Sequence, residues 1–332
     1  MSAEGLGTDS AVPPSWRLAD PQRTADQIAV IRDLARRKNA VILAHNYQLP
    51  EVQEAADFVG DSLGLALQAR DTKASLIVFC GVHFMAESAR ILNPDKTVLL
   101  PSLAAGCALA DSITPESLLD WKRRYPGHTV VTYINSSAEV KALSDICCTS
   151  ANAVSVVRSL PGHRVLFTPD RNLGRWVAAQ VPDKEVVIYD GACPTHEVLR
   201  GVNVDAAKSG KPEAVVIAHP ECREDVLAMA DEICSTSGMI AAVARHPEAK
   251  TFIIATEWSL IHQLQKRYPD REFIPADGCI GCRLHCPYMK MVDLTAVRRA
   301  LVEGVFPIEV DEDDAAGARR ALERMMAVPR DC

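Results

Sequence analysis

Three thiols and an imidazole fall within eight positions of one stretch, Asp277-Gly278-Cys279-Ile280-Gly281-Cys282-Arg283-Leu284-His285-Cys286-Pro287-Tyr288-Met289-Lys290. Thiolates are soft ligands, so this density points to a zinc ion or an iron–sulfur cluster. A self-contained zinc site would draw on Cys279, Cys282, His285 and Cys286, but adjacent His285 and Cys286 make awkward tetrahedral partners. A radical iron–sulfur enzyme would carry C-x3-C-x2-C, the reverse of the C-x2-C-x3-C found here. The alternative is that this stretch forms one wall of a larger site.

Spacing across the rest of the chain favours the larger site. Cys107 to Cys193 and Cys193 to Cys279 are both 86 residues. A second ruler agrees: His45 to Ser62, Tyr133 to Ser150 and His219 to Thr236 are each 17 residues apart. An internal repeat of this length is a whole small α/β domain and not a solenoid unit.

The elements that must position these residues recur in the same order. A helix from Thr24 to Arg37 precedes the apolar run Ala40 to Ala44, which ends in His45-Asn46-Tyr47-Gln48. A helix from Pro50 to Val59, another from Ser62 to about Asp71, strand Leu76 to Cys80, a helix from Phe84 to Leu92 and strand Thr97 to Leu100 follow, with Cys107 just beyond. Strands Thr129 to Ile134, Arg164 to Phe167 and Glu185 to Tyr189 repeat the order before Cys193. Strands Ala214 to Ala218, Phe252 to Ala255 and one near Phe273 repeat it before Cys279. Strands alternating with helices imply parallel βαβ units.

The expected fold is therefore α/β, with three similar three-layer domains arranged around a pseudo-threefold axis, each with a short parallel sheet of three strands. The expected boundaries are a loosely ordered leader at 1–23, repeats at 24–112, 113–196 and 197–286, and a C-terminal helical segment at 287–332 packing back on the first repeat.

Ligands of open α/β sheets bind beyond the carboxyl ends of the strands, where His45, Tyr47, Tyr133, Asn135, His219 and Glu221 fall. Ser62, Ser150, Ser235 and Thr236 fall where helices start. Free N–H groups there favour carboxylates and phosphates, so the implied ligand is a small polyanion. Simple N-capping would also explain a Ser or Thr at a helix start, and a structural role would explain a lone histidine. Recurrence in different repeats weighs against both. Cys107, Cys193 and one thiol of the final stretch suit a cubane cluster with one iron left open. Such an iron acts as a Lewis acid for dehydration without net redox.

Composition bounds the partners. The chain of 332 residues carries 36 basic and 43 acidic side chains, a formal charge of −7, which gives no reason to expect nucleic acid. No apolar run approaches the ~20 residues of a membrane helix, no signal-peptide core is present, and 11 cysteines suit reduced thiols or metal ligation. These features predict a cytoplasmic protein.

Taken together, several motifs resemble the quinolinate synthase (NadA) family. They are His45-Asn46-Tyr47-Gln48, Gly60-Asp61-Ser62-Leu63, Phe79-Cys80-Gly81-Val82-His83-Phe84-Met85-Ala86-Glu87, Thr149-Ser150-Ala151-Asn152, His219-Pro220-Glu221-Cys222, Ser235-Thr236-Ser237-Gly238-Met239 and Cys286-Pro287-Tyr288-Met289-Lys290. The resemblance covers residues 25 to 330. It implies three α/β domains around an oxygen-sensitive [4Fe-4S] cluster held by Cys107, Cys193 and Cys286. It also implies condensation of iminoaspartate with dihydroxyacetone phosphate to quinolinate, phosphate and water in de novo NAD biosynthesis, with iminoaspartate supplied by an aspartate-oxidising enzyme.

By resemblance, Tyr47, His219 and Glu221 serve proton transfer, and His45, Ser62, Tyr133, Asn135, Ser150, Ser235 and Thr236 contact substrate. The repeat ruler nominates Cys279 as the third ligand, whereas the family context nominates Cys286. Two other classes stand beside this reading: a zinc-stabilised α/β binding protein without turnover, and a different [4Fe-4S] hydro-lyase.

Overall fold

The computed structural model describes residues 21–277 and 284–331. Its first unit runs through α1 (Pro21–Arg37), β1 (Ala40–His45), α2 (Pro50–Ala55), β2 (Phe58–Gly60), α3 (Ser62–Asp71), β3 (Leu76–Cys80), α4 (His83–Leu92) and β4 (Thr97–Leu99). The second repeats the order with α5 (Pro115–Arg124), β5 (Thr129–Tyr133), α6 (Ala138–Ala142), β6 (Ile146–Cys148), α7 (Ala153–Ser159), β7 (Arg164–Thr168), α8 (Arg171–Gln180) and β8 (Glu185–Ile188). A short helix, α9 (Pro194–Glu197), leads into the third: α10 (Gly201–Ser209), β9 (Val215–Ala218), α11 (Glu224–Leu227), β10 (Glu232–Ile233), α12 (Thr236–Arg245), β11 (Thr251–Ala255), α13 (Leu260–Arg267) and β12 (Glu272–Pro275).

Each unit forms a wholly parallel four-stranded sheet with its second strand outside the first: β2-β1-β3-β4, β6-β5-β7-β8 and β10-β9-β11-β12. The α/β class and the three similar units hold as expected. The strand count does not, because each sheet has four strands where the periodicity shows three. The added strands, Phe58–Gly60, Ile146–Cys148 and Glu232–Ile233, are only two or three residues long, too short to display alternation. Phe58–Gly60 also ends the expected helix at Ala55.

Each short strand is held by the same device. The Asp57 carboxylate accepts from Ile42 N, that of Asp145 from Val130 N and that of Asp231 from Val216 N, at 2.7–2.8 Å and always across 15 positions. This third ruler stitches the start of each edge strand to the strand beside it.

Central strands are buried on both faces, as parallel sheets require, and read as unbroken apolar runs such as Val41-Ile42-Leu43-Ala44. Phe79, Phe167 and Phe252 are fully buried among them. In this strand order the connection reverses direction between the first and third strands, opening a crevice at their carboxyl ends. His45 and Gly81 flank that crevice in the first unit.

After the third unit, α14 (Leu294–Glu303) packs on α1 and β3, and α15 (Glu312–Met326) packs on α6, β6 and α4. Gly317 permits the closest approach of α15, since a side chain there would meet Ala142 Cα at 2.9 Å. Among the described residues, no helix is long and apolar enough to cross a membrane.

Glu197 joins the second and third units by accepting from Arg171 (2.9 Å), Asn172 (2.9 Å) and Arg223 (3.0 Å). Burial opposes its charge, but these donors outweigh burial and hold the carboxyl below its usual value. A carboxyl depressed in the folded state stabilises above its unfolded pKa and loses that contribution as pH falls through the folded one. Glu197→Gln is therefore expected to cost ~0.5–1 kcal/mol at neutral pH, the scale of partly exposed pairs. The difference in thermal midpoint from the parent protein should therefore shrink as pH falls below the ordinary glutamate range.

Candidate functional site

The carboxyl ends of the three sheets open onto one shared cavity of about 70 Å³. That is well above the ~10–15 Å³ needed to admit a single water yet small in absolute terms, so the site suits a small ligand. Three thiols line it, one following each sheet: Cys107, Cys193 and Cys286. His45, Tyr47, Ser62, Tyr133, Asn135, Ser150, His219, Glu221 and Thr236 line it as well. Of the nominated residues that are described, only Ser235 stands behind the wall. It caps α12 by accepting from Gly238 N (3.2 Å) and donates to Asp61 at 3.3 Å. Cys279 and Cys282 lie outside the described residues.

Glu221, only 3% exposed, sits at the centre of the polar groups. Its Oε2 lies 3.1 Å from His219 Nδ1 and 3.2 Å from His196 Nδ1, and the two imidazoles stack with centroids 4.9 Å apart. Burial works against its charge, but the two histidines and the Tyr133 hydroxyl outweigh burial and hold it below the usual carboxylate range. Glu221 Oε1 is buried without a hydrogen-bond partner among the described residues, leaving one acceptor free. His219 Nε2 is 3.1 Å from Ser150 Oγ.

His45 accepts from Tyr47 N at its Nδ1 (3.1 Å), which places its proton on Nε2. Burial lowers its pKa to about 4, so it stays neutral near pH 7. The Tyr47 hydroxyl bonds Thr256 Oγ1, which is also 2.8 Å from His196 Nε2. Burial, then the Glu221 charge, push Tyr47 well above its ordinary pKa. Tyr47 is therefore a proton donor at neutral pH and not a phenolate.

The thiols are equally costly to ionise. Burial pushes Cys107 up to about 12 and raises Cys193 and Cys286. Bound metal is the usual means of deprotonating such thiols. Three soft donors from three units at one cavity wall fit a three-thiolate cluster. Cys193 Sγ, His196 and Glu221 also lie within 4.8 Å of one another and could hold a single ion.

Several members of the site escape sequence reasoning. His196 stands in Cys193-Pro194-Thr195-His196, a Cys-x-x-His spacing that could have flagged it. Glu257, fully buried, accepts from Cys286 N (3.3 Å) and pairs with Lys290 at 2.8 Å. Lys290 also donates to Ser259 Oγ and to the Tyr47 carbonyl, tying the third thiol loop to the Tyr47 loop. Buried Asp170 caps α8 and accepts from Cys193 N at 3.0 Å, which anchors the second thiol.

The family model described as quinolinate synthetase A protein (NadA) matches residues 29–327. The chain belongs to the NadA family. Relatives agree over nearly their full length. The quinolinate synthase of Geobacter metallireducens is 54% identical over 301 residues, 91% of this chain and 97% of the relative. That of Thermodesulfovibrio yellowstonii is 47% identical over 306 residues, 92% and 98% of the two chains. That of Microcystis aeruginosa is 46% identical over 319 residues, 96% and 98%. NadA proteins are enzymes, and the cavity described above is where this member gathers its thiols, imidazoles and one unpartnered carboxylate oxygen.

Proposed function

We propose that this NadA member condenses iminoaspartate with dihydroxyacetone phosphate to give quinolinate, phosphate and two waters. The balance needs no oxidant, since every oxygen lost leaves as water or phosphate. In this reading Cys107, Cys193 and Cys286 hold a [4Fe-4S] cluster. When bound, the cluster supplies an open iron as Lewis acid for loss of a hydroxyl.

The protein's own groups do the remaining work. Condensation and dehydration need protons taken from carbon or nitrogen and delivered to departing oxygens. Glu221 Oε1, buried and without a partner among the described residues, is the acceptor available for such a proton, and His219 beside Oε2 shares it. Tyr47, kept protonated by burial, is the donor. His45, Tyr133, Asn135 and Ser150 fix carboxylates through neutral hydrogen bonds. Ser62 and Thr236 stand in the first turn of the ten-residue helices α3 and α12, whose N-termini favour the phosphate, and Ser235 acts through the helix start it caps. A labile imine substrate calls for supply by an aspartate-oxidising enzyme.

The observation that carries this reading is one small cavity sharing a thiol from each unit with a buried carboxylate oxygen that has no partner among the described residues. A second reading rests on the proximity of Cys193, His196 and Glu221: a single bound ion such as zinc without cluster chemistry. Anaerobic purification followed by metal and acid-labile sulfide analysis and chromatographic detection of quinolinate separates the two. Brown protein with labile sulfide that forms quinolinate from the two substrates supports the cluster enzyme. Colourless protein with one zinc and no product rejects it.

A further inference from the structure

Among its described lining residues, the cavity proposed to take dianionic substrates contains no lysine or arginine. It does contain two carboxylates, Asp61 and Glu221. An incoming dianion meets the charge of each unless a counter-charge stands beside it. Glu221 lies between two imidazoles as hydrogen-bonding neighbours, whereas Asp61 faces a cation remote in sequence. Arg330 makes a bidentate pair with the Asp61 carboxylate, Nη1 to Oδ2 at 2.6 Å and Nη2 to Oδ1 at 2.9 Å.

We propose that Arg330 cancels the Asp61 charge in the cavity wall, so that the segment following α15 sets the affinity of the site for anionic substrates. This rests on the functional reading above. Arg330 acts through Asp61 and is a positioning residue.

The segment is built to hold that guanidinium in place. Asn152 donates to the carbonyls of Met325 (3.1 Å) and Val328 (3.4 Å), and Asp331 N donates to Ala151 O at 2.7 Å. The Asp331 carboxylate accepts from Val154 N (3.0 Å) and Ser155 N (2.8 Å), covering the start of α7, whose own N-cap Asn152 makes no side-chain cap. The backbone on both sides of Arg330 is thus fastened to the second unit while its side chain reaches the first.

Asp61 in turn accepts from Gly64 N at the start of α3 and from Ser235 Oγ of the third unit. One ion pair therefore ties all three units together beside the helix starts that border the cavity. Burial disfavours the Asp61 charge, and Arg330 more than compensates, keeping it ionised and matched.

A structural clip and an electrostatic screen make different predictions for the double variant, because removing one partner of a buried pair strands a charge whereas removing both need not. The experiment compares wild type, Arg330→Met, Arg330→Lys and Asp61→Asn/Arg330→Met as anaerobically prepared holoenzymes. Calorimetry measures binding of inorganic phosphate and of maleate as dianion probes, and turnover is measured alongside. Arg330→Met should weaken both probes by about tenfold or more, the scale of one uncompensated charge within several ångströms. It should raise KM by a similar factor while leaving kcat within about threefold. Arg330→Lys should fall between, since an ammonium keeps the charge but not the bidentate fork.

The double variant, lacking every bond of the pair, should bind within about threefold of wild type. Unchanged binding in Arg330→Met, a double variant as weak as the single, or a wild type that binds neither probe overturns the proposal. If wild type makes no quinolinate yet the binding series behaves as stated, the functional reading falls and the role of Arg330 stands.

Discussion

Cys107→Ala, Cys193→Ala and Cys286→Ala are each expected to give folded protein that carries no labile sulfide after anaerobic reconstitution, a complete loss and not a graded one. The three thiols line one cavity and come from three separate units, so each is a third of a donor set that the others cannot replace. Cys80, Cys147, Cys148, Cys222 and Cys234 are at most 1% exposed within the apolar cores and act as small hydrophobes. Cys80→Ala and Cys222→Ala should therefore keep the chromophore.

Cys279→Ala and Cys282→Ala should keep it too if Cys286 is the third ligand. Iron and sulfide analysis with the visible spectrum decides the assignment. A brown Cys286→Ala beside a colourless Cys279→Ala would return it to the repeat ruler. Circular dichroism on the same samples distinguishes cluster loss from misfolding.

Glu221→Gln should keep iron and sulfide at wild-type levels while turnover falls by at least ~10²-fold, the usual scale for a positioned proton-transfer group. Glutamine preserves the shape and hydrogen-bond reach of the carboxylate between His196 and His219 but cannot take up a proton at neutral pH. The free Oε1 is what the substitution disables. Steady-state kinetics beside metal analysis reads two outcomes. Near-normal kcat removes Glu221 from the chemistry. Metal lost together with activity favours the single-ion reading, in which Glu221 is a ligand.

Much of this was legible because repetition turns weak local signals into strong ones. A serine at a helix start or a histidine after a strand says little alone. The 17-residue spacing seen three times located the strand tips, and the 86-residue spacing located Cys107 and Cys193. Local pattern failed where an element's identity depends on a neighbour. Two- and three-residue edge strands exist only because an adjacent strand and the bracing aspartates Asp57, Asp145 and Asp231 supply their hydrogen bonds.

By itself, then, the sequence determined the three α/β units and the residue types available at each strand end, because these follow from periodicity, turn position and spacing within about ninety residues, while its motifs carried the resemblance to the family. Only the tertiary structure decided which of those groups meet. It brought His196 and His219 onto one carboxylate, joined Tyr47 to Thr256 across 209 positions, fixed Cys286 through Glu257 and Lys290, and set Arg330 on Asp61 across 269 positions. The physical reason is that burial and charge pairing act through space. Neither the stranded acceptor of Glu221 nor the screened charge of Asp61 has a local signature along the chain.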